Sequence, residues 1–194
     1  QRDAEQQVEA DGGAHHLGIG NVERFTRSPV ELAHRRRNRR VRGGTDLIGT
    51  LDRDVEGRRT ADFLWNLKGI VPFVKVDVGL AAERDGVRLM KPIPDLAPLL
   101  AHAAAQEVFG TKMRSVIMRG DPASIRSVVA QQFDIARAVT AAGLVPIIEP
   151  EVSIDNPDKD AVEHTLRALL SEELDALASD QHVMLKLTLP TVDG

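Results

Sequence analysis

His182-Val183-Met184-Leu185-Lys186-Leu187-Thr188-Leu189-Pro190 is the stretch that decides how the rest of the chain is read. It is short, almost continuously apolar and closed by a proline, which is the pattern of a strand buried in a parallel sheet. Lys186 sits in its middle. A buried ammonium relieves its desolvation cost by giving up its proton, and a neutral lysine is a nucleophile able to form a Schiff base with a carbonyl. The competing reading keeps Lys186 near the strand end, with its ammonium reaching water.

Working outward, the chain from about Leu51 alternates helix and strand. Asp54 to Leu67 reads as a helix with Val55, Phe63, Leu64 and Leu67 on its buried stripe and Gly69 as its stop. Val71 to Gly79 reads as a strand, Asp95 to Glu107 as a helix and Thr111 to Met118 as a strand. Asp121-Pro122 is a helix start, N-cap then proline, and that helix runs to Gly143. Leu144 to Glu149 is a strand, Asp158 to Leu177 a helix, and His182 to Leu189 closes the series. Strict alternation argues for parallel strands joined by helical crossovers, hence an α/β sheet or barrel. No GxGxxG and no GxxxxGK[ST] supports a nucleotide-binding sheet.

Side chains alternate faces along a strand. Phe73, Lys75 and Asp77 share one face, Lys112, Arg114 and Val116 another, and Met184, Lys186 and Thr188 another. Ile147, Glu149 and Glu151 align if the strand stays extended through Pro150. Each strand therefore has an apolar face for helices and a face bearing charge. Inward charges of both signs on adjacent parallel strands describe a barrel near its active end. A structural ion-pair core is the alternative, but buried ion pairs stabilise poorly beside apolar packing. The cations also suit a substrate bearing phosphate.

Composition sets the outer limits. The 194 residues are 42% hydrophobic and 28% charged, which suits one globular domain, and the net charge of -4 argues against nucleic-acid binding by the chain as a whole. With no cysteine there is no disulfide, thiolate metal site or cysteine nucleophile. No metal-ligand spacing is visible around the histidines, including His15-His16, and no apolar run has the length of a membrane span. A cytoplasmic location is expected. Residues 1 to about 50 differ from the rest, being polar and glycine-rich before a run of arginines from Arg35 to Arg42. That run reads as an anion- or nucleic-acid-binding arm, as a solvated charge block, or as residues foreign to the fold, such as GC-rich coding DNA translated out of frame.

Six segments together resemble bacterial-type class I fructose-bisphosphate aldolase. They are Asp52 to Gly57, Val71 to Asp77, Leu89 to Ile93, Phe109 to Ser115, Gly143 to Val152 and Val183 to Thr191. The resemblance implies a (β/α)8 TIM barrel and a lyase of glycolysis. Its reaction cleaves fructose 1,6-bisphosphate reversibly to dihydroxyacetone phosphate and glyceraldehyde 3-phosphate, with no metal and no cofactor. By position it implies Lys186 as the Schiff-base lysine, Glu149 as the general acid/base and Lys112 as a further active-site lysine. Lys75, Arg114 and Glu151 are implied as binding and supporting residues. The partner implied is a phosphorylated sugar, with no nucleic acid and no membrane, and a homo-oligomer is compatible with this reading.

Such a barrel needs about 250 residues. The family's opening strands and their loops have no counterpart here, nor do its last two strands. The expectation is a partial barrel of about four parallel strands over residues 51 to 194, its central half, behind a segment over residues 1 to 50 that reads as irregular or as not native to the fold. The alternative is a non-catalytic remnant, a half-barrel that assembles only with another chain.

Overall fold

A computed structural model describes residues 42–46 and 51–191 of the chain. It begins with strand β1 (Arg42–Asp46) and a hairpin of β2 (Asp54–Val55) and β3 (Arg58–Arg59). Helix α1 (Thr60–Asp62) runs on as a π-helical stretch over Phe63–Lys68. Strands β4 (Ile70–Lys75) and β5 (Val87–Arg88) follow, then helix α2 (Leu96–Ala105) and strand β6 (Gly110–Ile117). Helix α3 (Pro122–Ala141), strand β7 (Val145–Val152), helix α4 (Lys159–Asp175) and strand β8 (Met184–Leu185) complete it.

Strands β1, β4, β6, β7 and β8 lie side by side in that order, all parallel. This is an α/β fold built as a partial barrel: among the described strands, β1 and β8 each have one neighbour and the sheet does not close. β4 pairs with β6 only over Phe73–Lys75 and Gly110–Lys112. Beyond that point β5 runs antiparallel to β6, setting Val87 opposite Ile117 and Arg88 opposite Val116. β7 covers the other side of β6 over its full length, so β5 fills the place that β4 leaves.

The helices bury the apolar face of the sheet. Asp121 caps α3 by accepting from Ser124 N at 2.8 Å, and Pro122 takes the first helical position, as the sequence predicts. Ile125, Val128, Phe133, Ala136 and Val139 form its buried stripe. They join Val74, Val76, Met113, Ile117, Ile148 and Val152 of the sheet, with Val162, Leu166, Leu169 and Leu170 of α4, in one core. At the amino-terminal end of the strands Phe109 stacks with Trp65 and meets Phe73 edge-on, at centroid distances of 5.9 and 5.5 Å. Gly110 lies beneath them, where a Cβ would run into the carbonyl oxygen of Val145 and the ring of Phe73.

Several expectations are corrected. The segment read as irregular contributes β1, which pairs Arg42 with Ile70 and Asp46 with Phe73; the remainder of that segment and the rest of the arginine run lie outside the described residues. Asp54 to Arg59 is a hairpin rather than the start of a helix, because Glu56 (φ 54°) and Gly57 (φ 73°) form a two-residue turn. Leu67, placed on the buried stripe, is exposed. The strand from Val71 to Gly79 stops at Lys75, and β5 has no counterpart in the sequence reading. His182 to Leu189 is strand only over Met184–Leu185, and Leu185, Leu187 and Leu189 are exposed rather than buried. A strand has two flanks and two faces to cover, and among the described strands β8 has β7 on one flank alone. Among the described residues, no helix is long and apolar enough to cross a membrane.

Candidate active site

The strand register assembles the charged face. Lys75 is opposite Lys112, Lys112 opposite Ile147, Arg114 opposite Glu149, and Ile147 opposite Met184. With period-2 alternation this puts Lys75, Lys112, Arg114, Glu149, Glu151 and Lys186 on one face of four adjacent strands or their carboxyl ends. Lys186 N donates to Ile148 O at 3.0 Å, which continues the β7–β8 pairing by one residue and sets that lysine beside Glu149.

Glu149 is the centre. Its side chain is 3% exposed and lies between two ammoniums: Lys112 Nζ is 2.6 Å from Oε2, and Lys186 Nζ donates to Oε1. Gln132, fully buried on α3, accepts from Glu149 N at 2.8 Å and ties the strand to the helix layer at this residue. A carboxylate kept from water by two cations and a buried backbone is suited to passing protons between adjacent groups.

The other two pairs flank it. Arg114 grips Glu151 through Nε and Nη2, both at 2.7 Å, a bidentate arrangement. That hydrogen bonding holds the Glu151 carboxyl below its usual range and raises Arg114 above its own. Lys75 donates to the Asp77 carboxylate and, at 2.9 Å, to its backbone oxygen. Asp77 is buried on the same face and counts among the inward charges of the sequence reading.

The structure brings all six sequence-derived residues to one face, and it changes the setting of one. The Lys186 side chain is 62% exposed just past the end of β8, which agrees with the competing reading of an ammonium that reaches water and not with the buried lysine. Thr188 fixes the segment that follows: its hydroxyl accepts from Val152 N at 3.1 Å and donates to Val152 O at 2.8 Å. Gln132 and Arg88 are further site residues that sequence reasoning passed over. A glutamine within a long helix carries no signal of its own. Arg88 shows its place only once β5 is paired. A cleft of about 400 Å3 opens at the carboxyl ends of the strands, bounded by Arg88, Arg114, Glu149, Glu151, Ser153 and Lys186. Among the described residues, no group of three or more histidine, aspartate or glutamate side chains is placed to hold a metal ion.

No family model matches the chain. Among solved structures it is similar to fructose-bisphosphate aldolase from Plasmodium falciparum, a complex with TRAP and a small-molecule inhibitor, at 23% identity and a TM-score of 0.57. The match covers 75% of this chain and 46% of that one, so the chain spans about half the length of that aldolase. Two structures of arginine decarboxylase from Paramecium bursaria Chlorella virus, one with agmatine bound, match at 9% identity with TM-scores of 0.39 and 0.40, covering 66% of this chain and 36% of theirs. Neither reaches a common fold, whereas the aldolase match does: the chain has an aldolase-like partial barrel.

Proposed function

We propose that the chain carries the Schiff-base half of a class I fructose-bisphosphate aldolase site, of the bacterial type that its sequence segments resemble. The observation that carries this reading is the buried Glu149 carboxylate shared by Lys112 and Lys186 on adjacent parallel strands. The contact with Glu149 offers the ammonium of Lys186 a proton acceptor. Passing that proton leaves a neutral amine beside a neutral acid. The amine attacks the ketone carbon of the open-chain sugar bisphosphate to form a carbinolamine. Glu149 returns a proton to the departing hydroxyl, and water leaves as the iminium forms. Glu149, a carboxylate again, takes the C4 hydroxyl proton as the C3–C4 bond breaks: the aldehyde departs, the electron pair enters the enamine, Glu149 returns the proton to C3, and water hydrolyses the iminium to release dihydroxyacetone phosphate and the Lys186 amine. Lys112 orients substrate oxygens, while Arg114, held by Glu151, and Lys75, held by Asp77, present fixed positive charge.

Borohydride trapping with dihydroxyacetone phosphate tests the proposal. A secondary-amine adduct is expected on Lys186, and none in Lys186→Arg. An adduct on Lys75 or Lys112 with Lys186 unmodified would sink the assignment.

The exposed β8 favours a second reading, a half-barrel that works only beside another chain. Leu185, Leu187 and Leu189 are open to water, and so is the ammonium that has to meet its substrate in a dry site. Size-exclusion chromatography beside the trapping assay separates the two: trapping confined to an oligomeric fraction supports the second.

A further inference from the structure

Arg88 enters the cleft from an element outside the alternating strands. Its Cα partner is Val116, so it lies on the face that carries Lys112 and Arg114. Its Nε donates to Ala81 O at 3.0 Å, which fixes the root of the guanidinium and leaves Nη1 and Nη2 to the cleft. The neighbouring cations are matched: Arg114 by Glu151, Lys75 by Asp77, and Lys112 and Lys186 by the one carboxylate of Glu149. Among the described residues no carboxylate is within ion-pair distance of Arg88. Among the residues lining the cleft, Arg88, Arg114 and Lys186 face only Glu149 and Glu151, which leaves an excess of positive charge. Ser153 lines the same cleft; its Oγ accepts from Asp155 N at 3.3 Å and keeps its O–H for a ligand oxygen.

We propose that Arg88, with Ser153, holds a terminal phosphate ester of the substrate, and so selects for a phosphorylated end away from the carbon that Lys186 attacks. A guanidinium anchored through Nε presents its two remaining nitrogens as a planar fork, which suits phosphate oxygens better than a lysine would. The identity of the occupant as a sugar phosphate rests on the aldolase reading; the anion site itself does not.

The probe is inorganic phosphate, titrated calorimetrically into the full chain. Saturable binding is expected, weakened about tenfold or more in Arg88→Gln and much less in Arg88→Lys, which keeps the charge without the bond to Ala81. Arg119→Gln, at an exposed position outside the cleft, should bind as the unmodified chain does. On the unmodified chain, phosphate should protect Arg88 from phenylglyoxal, read by peptide mass, so the proposal stays testable if Arg88→Gln fails to fold. Equal phosphate affinity in Arg88→Gln, or no protection of Arg88, overturns it. Borohydride trapping is scored separately. No adduct on Lys186, with phosphate binding lost in Arg88→Gln, refutes the aldolase reading and leaves the anion site standing. An adduct on Lys186 with phosphate binding unchanged refutes Arg88 alone.

Discussion

Replacing Glu149 by glutamine keeps the shape of the site and removes the charge that two lysines share. At an effective dielectric constant of about 20, the 2.6 Å contact with Lys112 has a gross Coulomb term of about 6 kcal/mol. Desolvation of the carboxylate offsets a large part of it. Removing one partner of a fully buried pair costs about 3–5 kcal/mol, but here both ammoniums retain a route to water, Lys112 at 23% exposure and Lys186 at 62%. The expected loss is therefore about 2 kcal/mol. With a urea slope of about 2 kcal/mol per molar, the unfolding midpoint should fall by about 1 M. Double-mutant cycles divide the effect between the partners. Lys112→Met with Glu149→Gln should show a coupling of about 1–2 kcal/mol, while Lys186→Met with Glu149→Gln should stay below about 0.5 kcal/mol, the size of an exposed pair. A coupling to Lys186 that equals or exceeds the coupling to Lys112 would refute the reasoning, because it requires Lys186 to be buried in solution.

Gly110→Ala places a methyl group against the Val145 carbonyl and the Phe73 ring, and should cost about 1–3 kcal/mol or more, read as a lowered thermal midpoint by circular dichroism. The folded Glu151 carboxyl titrates below its unfolded counterpart, so its stabilisation is complete above about pH 4.5 and is lost as pH falls through the folded value. Denaturation midpoints from pH 7 down to pH 3 should therefore fall less steeply in Glu151→Gln than in the unmodified chain. Leu189→Lys, at the most exposed of the large apolar positions, should reduce self-association on size exclusion with little change in the unfolding midpoint.

The charged face was legible because alternation along a strand needs no knowledge of neighbours: Lys75, Lys112, Arg114, Glu149 and Lys186 follow from counting by two. Helix α3 was legible for a similar reason, since Asp121-Pro122 and Gly143 mark its ends locally. Burial was not legible in the same way. Whether Leu185 and Lys186 are covered depends on what lies beyond β8, and an apolar run cannot state that. The hairpin at Asp54 to Arg59 was hidden because its apolar spacing also fits a helix, with Glu56-Gly57 the one clue against it. Strand β1 was hidden by composition, since Arg42-Gly43-Gly44-Thr45-Asp46 carries no run of β-branched or aromatic residues and owes its place to pairing with Ile70, Pro72 and Phe73. Two-residue β5 is below the length at which any periodicity can be read.

Trp65 is the one tryptophan in the sequence, and it stacks on Phe109 at the opposite end of the strands from Glu149 and Lys186. Its intrinsic fluorescence therefore reports on the integrity of the sheet without passing through the charged cleft. Substitutions at Arg88, Lys112, Glu149 or Lys186 that act locally should leave the emission maximum where it is, while a variant that loosens β4 from β6 should shift it to the red. The chain thus contains its own optical control, by which lost chemistry can be told from lost structure without a label.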